Sequence, residues 1–247
     1  MRLPRVVGHR GALDLAPENT IAGIRRAAAL GVTGVEFDVK LTADGQCIVF
    51  HDDRLERTTD GSGAVANTPF ETIAALDAGA WFAPEFVGER VPRLEEVIAE
   101  LFALDLYPDI EIKPCPGREI ETARAALTTI KSHWPSGRDG PLLTSFALPC
   151  LEVARDLAPA WPRGLICLKP PEDWPIKVSS VDATVLVCHE NGLLQNDVEA
   201  FRKQGIGVVT YPINDGAYAA RLLDWGVSSL ISNSPDRLLA ATSSVRP

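Results

Sequence analysis

The sequence predicts an α/β protein, a (β/α)8 TIM barrel with a small insertion after strand 2. Three observations lead there. Short apolar runs alternate with helical patterns along most of the chain. Eight of those runs remain once one hairpin partner is set aside. The length of 247 residues suits one α/β barrel as a single unit.

The elements follow in order. Val6-Val7-Gly8 is a first short strand. Glu18 to Leu30 carries helical periodicity, opened near Pro17 and closed by Gly31. Gly34 to Leu41 is the second strand, and Gln46 to Phe50 returns beside it after the turn Ala43-Asp44-Gly45. That turn is too short for a crossover helix, so this pair is antiparallel and stands outside the barrel count.

Residues 53–92 are rich in Gly, Thr, Pro and Ala and include Asp60-Gly61-Ser62-Gly63 and Ala80-Trp81-Phe82. They are too long for an ordinary connection and read as a small inserted subdomain within a single domain spanning 1–247. Alternation then resumes. Helices are expected at Arg93–Phe102, Glu119–Lys131, Leu148–Leu157, Asn196–Gln204, Ala217–Asp224 and from about Asp236. The connection through Pro170-Pro171-Glu172-Asp173-Trp174-Pro175 reads as irregular rather than fully helical. The eight barrel strands start near residues 5, 34, 107, 142, 164, 184, 207 and 229.

Charge and composition narrow the function. The net charge is −9, and the longest basic run is Arg25-Arg26. Nucleic acid is therefore not an expected partner. An acidic chain can still take a small phosphorylated substrate if a metal supplies positive charge locally. The five cysteines are odd in number, scattered, and form no C-x-x-C. They read as buried reduced thiols rather than disulfides or a zinc site. There is no signal-peptide pattern and no apolar stretch of membrane-spanning length. A soluble, cytoplasmic protein is expected, with a homodimer left open.

In a barrel of this kind the site lies at the C-terminal ends of the strands. Strand 1 ends in Gly8-His9-Arg10-Gly11, strand 2 carries Glu36 and Asp38, and strand 3 ends in Glu111-Ile112-Lys113. Residues two apart on a strand share a face, so Glu36 pairs with Asp38 and Glu111 with Lys113. The hairpin brings His51 back beside the first two. Three carboxylates at one mouth repel unless a cation sits among them. An all-oxygen set suits Mg²⁺, Ca²⁺ or Mn²⁺ rather than Zn²⁺. Arg10 and Lys113 then face an anion, or else form ion pairs with the same carboxylates. A cation, an anion clamp and two histidines suit phosphoryl chemistry.

These residues carry a resemblance. Gly8-His9-Arg10-Gly11, Pro17-Glu18-Asn19-Thr20, Glu36-Phe37-Asp38-Val39, Val49-Phe50-His51-Asp52, Val91-Pro92-Arg93-Leu94-Glu95-Glu96-Val97, Glu111-Ile112-Lys113 and Thr144-Ser145-Phe146 occur in that order. Together they resemble the glycerophosphodiester phosphodiesterases, most closely the short cytoplasmic bacterial members. The resemblance implies that His9 and His51 are acid/base groups and that Glu36, Asp38 and Glu111 hold one divalent cation. It implies that Arg10 and Lys113 contact phosphate, and that Glu18 and Asn19 close the edge of the site. It implies that residues 53–92 shape the mouth. The C-terminal third departs from the family pattern. Tyr211-Pro212-Ile213-Asn214 stands where W-T-V-N is common, and Ser228 and Asn233 stand where aspartates are common. Tyr211 keeps an aromatic at the substrate side.

The implied reaction is hydrolysis of a glycerophosphodiester to glycerol 3-phosphate and an alcohol. A barrel phospholipase acting on lipid phosphodiesters is the alternative. It would need an apolar, membrane-facing mouth, and Trp81, Phe82 and Phe86 of the insertion lack basic companions. An aldolase or isomerase barrel would need a Gly-rich phosphate loop near the last two strands, where Pro212 and Asn233 stand instead. Of the other histidines, His189 reads as structural though within reach of the mouth, and His133 as surface. Trp81 and Phe82 read as the insertion's own core.

Overall fold

A computed structural model of the chain describes residues 3–242. Eight parallel strands close into a barrel: β1 (Val6–Gly8), β2 (Gly34–Leu41), β4 (Tyr107–Ile112), β5 (Leu142–Ser145), β6 (Arg163–Cys167), β7 (Val185–His189), β8 (Gly207–Tyr211) and β9 (Ser229–Ser232). The ring closes where Gly8 pairs with Val35. β3 (Cys47–Val49) lies antiparallel on the upper end of β2, with Val39 opposite Val49 and Leu41 opposite Cys47. The outer helices are α1 (Ile21–Ala29), α3 (Leu94–Ala103), α4 (Glu119–His133), α5 (Leu148–Leu157), α6 (Trp174–Ser180), α7 (Gln195–Lys203), α8 (Gly216–Trp225) and α9 (Pro235–Thr242). A five-residue helix, α2 (Phe70–Ala74), lies within the segment after β3.

The alternation on β2 places the site. Val35, Phe37 and Val39 are fully buried among α1, α3 and α4 residues such as Ile24, Val97 and Leu127. The intervening Glu36, Asp38 and Lys40 therefore point into the barrel. At the barrel's centre Val7, Leu142, Ile166, Val185, Val187, Val209 and Ile231 pack together as a floor.

The first helix is shorter than its sequence pattern. It starts at Ile21, capped by Thr20, whose hydroxyl accepts from the Gly23 amide at 3.1 Å. Glu18 and Asn19 thus lie outside the helix, and Glu18 is not a first-turn acid. Asn19 sits at φ +57, a left-handed conformation that ends any helical reading at that residue. The connection after β6 is irregular up to Asp173 and then forms the seven-residue α6.

Residues 53–92 carry 3-10 turns, α2 and an aromatic chain, Trp81 on Phe82 on Phe86, with ring centroids 5.6 and 5.5 Å apart. Leu55, Val65, Ile73, Ala78 and Val91 pack together against Ile48 and Phe50. The segment returns beside β3, where the Val49 amide donates to Pro92 O at 2.9 Å. The five cysteines are free and buried. Among the described residues no helix is long and apolar enough to cross a membrane.

Candidate active site

Two tight backbone features present His9 and Arg10. Gly11 has φ +93, and a Cβ there would lie 2.5 Å from the Gly23 backbone carbon. Only glycine lets the loop after β1 press so closely on α1. Arg10 is held at φ +50, a left-handed conformation that costs an ordinary side chain on the order of 1 kcal/mol or more. Its amide donates to Glu36 Oε2 at 3.0 Å. Its carbonyl accepts from the Asn19 amide at 3.0 Å.

The strands bring the acids together. Asp38 stands opposite Glu111 and Glu36 opposite Asp109 in the β2–β4 register. One oxygen from each of Glu36, Asp38 and Glu111 lies within 4.8 Å of the others, and all three residues are buried. Asn19 grips Asp38 twice: its Nδ2 donates to Oδ2 at 2.8 Å, and its Oδ1 accepts from the Asp38 amide at 3.2 Å. The Phe50 amide donates to Asp38 O at 2.9 Å. That bond ends the hairpin where His51 emerges beside Asp38.

Every sequence-predicted group except Tyr211 belongs to this one cluster of contacts. Arg10 Nη1 lies 2.7 Å from Glu18 Oε1, and Arg10 Nε 3.3 Å from Asp38 Oδ2. Lys113 Nζ lies 3.0 Å from Glu111 Oε1 and 3.3 Å from Asp38 Oδ1. Both cations thus make the ion pairs foreseen as their alternative role, while also lining a cavity of about 330 Å³. His9, Glu36, His51 and Glu111 line the same cavity, and Tyr211 lines its far wall.

The two histidines are backed differently. His9 Nδ1 donates to Asn233 Oδ1 at 2.5 Å, and its Nε2 lies 3.8 Å from Glu36 Oε2. His51 Nδ1 donates to Asp52 Oδ1 at 2.6 Å. In each ring the Nδ1 hydrogen bond leaves Nε2 available to a ligand. Burial pulls the His9 pKa down to about 4, assisted by the charge of Arg10. Burial also lowers His51.

The acids divide. Burial raises Glu111 to about 8, reinforced by Asp38. Burial and repulsion from Asp38 and Glu111 lift Glu36 well above the carboxylate range. Burial would raise Asp38 as well, but Arg10, Lys113 and the Asn19 hydrogen bond hold it below its ordinary value. The cluster as it stands is short of positive charge.

Several contributors escaped the sequence reading. Arg57, within the 53–92 segment, binds Glu18 through Nη1 and Nη2 at 2.8 Å each and Asp52 through Nε at 2.6 Å. Asp109 lines the cavity, donated to by the Thr144 hydroxyl at 2.7 Å, and burial lifts it to about 7. Its period-two spacing from Glu111 was the available signal. Asn233 stands in the sequence only as a departure from the family pattern, and its contact with His9 spans 224 residues. His189 lines the cavity, its ring edge-on to Tyr211 at 5.4 Å, while its Nδ1 accepts from the Asn191 amide. His133 is exposed.

The chain is similar to proteins of one name and to solved structures of the same fold. A glycerophosphodiester phosphodiesterase of Caldanaerobacter subterraneus is 33% identical over 239 residues, covering 95% of this chain and 96% of that protein. One from Bacillus subtilis is 33% identical, covering 93% and 83%. An Oleispira antarctica phosphodiesterase, solved in complex with the product sn-glycerol-3-phosphate, superposes with a TM-score of 0.95 at 35% identity, covering 98% of both chains. The profile of the Glycerophosphoryl diester phosphodiesterase family matches residues 9–237, and with these relatives it shows that the chain belongs to that family.

Proposed function

We propose that the chain hydrolyses glycerophosphodiesters to glycerol 3-phosphate and an alcohol, with a divalent cation and two histidines. The observation that carries this reading is one cavity at the barrel mouth lined by two histidines, two basic side chains and two members, Glu36 and Glu111, of a buried three-carboxylate cluster with Asp38. Oxygen-only donors within 4.8 Å of one another fit a hard cation such as Mg²⁺, Ca²⁺ or Mn²⁺. Glu36, Asp38 and Glu111 would hold it. The raised pKa values of Glu36 and Glu111, set first by burial and then by repulsion from neighbouring carboxylates, support this, because an added positive charge offsets that repulsion and favours both charged forms. When bound, the cation supplies charge withdrawal from the phosphodiester and from a neighbouring hydroxyl.

The chain's own groups do the rest. Arg10 and Lys113 hold the phosphate oxygens, at some expense to their contacts with Asp38. One histidine takes the proton of the glycerol 2-hydroxyl through Nε2, and the other gives a proton to the departing alcohol. Oxygen 2 bonds to phosphorus as the bond to the leaving alcohol breaks, giving a cyclic 1,2-phosphate. Water then opens that ring with the two histidines in reversed roles. Asp52 and Asn233 keep the rings in the tautomer that leaves Nε2 free. Residues 53–92 form an insertion that closes one edge of the mouth through Arg57.

The test is turnover of glycerophosphocholine and glycerophosphoethanolamine by His9→Ala and His51→Ala at saturating divalent cation. Each variant should lose about 10²- to 10⁴-fold in kcat with its fold intact. Retention of most turnover by either one removes that histidine from the mechanism.

A further inference from the structure

Of the carboxylates lining the cavity, Glu36 and Glu111 belong to the cation cluster and Asp109 does not. Asp109 lies on β4, two residues before Glu111 and opposite Glu36 in the β2–β4 register. That places it about 6–7 Å further into the barrel than Glu111. It is 1% exposed. Its Oδ1 accepts from the Thr144 hydroxyl at 2.7 Å. Its Oδ2 is buried and has no hydrogen-bond partner. The two basic side chains of the cavity, Arg10 and Lys113, pair with Glu18, Asp38 and Glu111 instead. The cavity floor of Ile166, Val187 and Ile231 offers no donor.

A buried carboxyl oxygen without a partner costs about 1–3 kcal/mol, and more when ionised. A hydroxyl satisfies it in either protonation state, donating to the carboxylate or accepting from the acid. An open polar atom on the wall of a substrate cavity therefore points to a hydroxyl on the ligand. The two ends of the substrate decide which one. The leaving alcohol varies in size among glycerophosphodiesters, so it runs out towards solvent. Glycerol is the constant end, and it lies inward. Its 2-hydroxyl is taken by cyclisation. Its terminal hydroxyl is one carbon further from phosphorus, on the side of Asp109.

Resting on the function given above, we propose that Asp109 binds the terminal hydroxyl of the glycerol unit and so determines specificity for it. Thr144 fixes the carboxyl so that Oδ2 is left for the ligand. The chemistry of cleavage is unchanged, because the terminal hydroxyl neither forms nor loses a covalent bond. A phosphodiester of any 1,2-diol carries the groups that cyclisation needs. Asp109 selects, among these, the triol.

The experiment measures kcat/KM for glycerophosphocholine and for the phosphocholine ester of propane-1,2-diol, which keeps the 2-hydroxyl and lacks the terminal one. Wild type should prefer glycerophosphocholine by about 10- to 100-fold, the factor carried by one buried polar group left unpaired. Asp109→Ala should bring the two substrates to within about threefold of each other, since no polar group is then left waiting. Asp109→Asn, which still presents an amide to the hydroxyl, should keep most of the preference. A purely structural Asp109 would lower both substrates alike, and a ratio that survives Asp109→Ala in this way overturns the proposal. Equal kcat/KM for the two substrates in wild type overturns it without any variant, so the test stands even if Asp109→Ala does not fold. Both of those results leave the hydrolase reading intact. No turnover of any phosphodiester, glycerophosphocholine included, overturns the hydrolase reading and this one with it.

Discussion

Replacing Arg57 with alanine tests how the 53–92 segment acts on the site. Arg57 spans two carboxylates with four short contacts, two to Glu18 and two to Asp52. Asp52 in turn fixes His51, and Glu18 fixes Arg10. Removing one partner of a buried ion pair costs about 3–5 kcal/mol. Arg57 is 45% exposed and Glu18 keeps Arg10, so solvent screening and the remaining partner reduce this to about 1–2 kcal/mol. In a chain of this size that lowers Tm by a few degrees. The catalytic effect should be larger, about ten- to hundredfold in kcat, because groups that orient a reacting side chain carry penalties of that order. Arg57→Lys should recover part of the stability and little of the kcat, since an ammonium cannot span both carboxylates. Glu18 and Asp52 are both held below their ordinary pKa values, chiefly by Arg57 against the opposing cost of burial. Their contribution is therefore complete above the ordinary carboxylate pKa values and is lost as pH falls through the depressed ones. The stability gap between wild type and Arg57→Ala should narrow on acidification. Thermal melts from pH 3 to 7 and steady-state kinetics read both effects. An Arg57→Ala variant with wild-type kcat and Tm would refute the reasoning.

Glu111 and Glu36 give the opposite pH dependence. Their folded pKa values are raised, so without a metal the folded state keeps protons that the unfolded state releases. Metal-free stability should fall as pH rises from about 4.5 towards 8, by about 1.4 kcal/mol per pH unit for each extra proton retained. Added Mg²⁺ or Ca²⁺ should remove that slope, as denaturant titrations with and without chelator would show. Asn19→Ala loses both hydrogen bonds to Asp38 and the residue type best suited to φ +57. It should cost about 2–4 kcal/mol, one unsatisfied charged acceptor plus backbone strain, measured by equilibrium unfolding. Gly11→Ala should fail to give soluble folded protein or should melt far below wild type, because the new Cβ meets Gly23 backbone atoms that cannot yield. A variant within 2 °C of the wild-type Tm would contradict that packing.

The sequence carried the parts of the site that repeat with a local period. Glu36 and Asp38 are two apart on a strand, as are Glu111 and Lys113, and the short turn at 43–45 forced His51 back towards Asp38. Asp109, two before Glu111 on the same strand, obeys the same period. The first helix starts three residues later than its sequence pattern, because Glu18 and Asn19 fit a helical pattern until tertiary partners claim their side chains. Arg57 and Asn233 had no local signal. Each acts by a contact across 39 or 224 residues that only closure of the barrel creates. The far wall of the cavity escaped for a related reason. Phe146, Leu168 and Tyr211 belong to three separate strand ends and form one surface only in the closed ring.

In the function proposed above, the acids of β2 and β4 and the histidines after β1 and β3 form one metal-dependent phosphodiester-cleaving centre. Glycerol 3-phosphate release from a panel of glycerophosphodiesters, before and after EDTA and after metal is restored, tests it most directly. EDTA should abolish that release and a divalent cation should restore it, and Glu111→Gln should require far more cation than wild type. Release that EDTA leaves untouched, or none from any member of the panel at saturating cation, would contradict it.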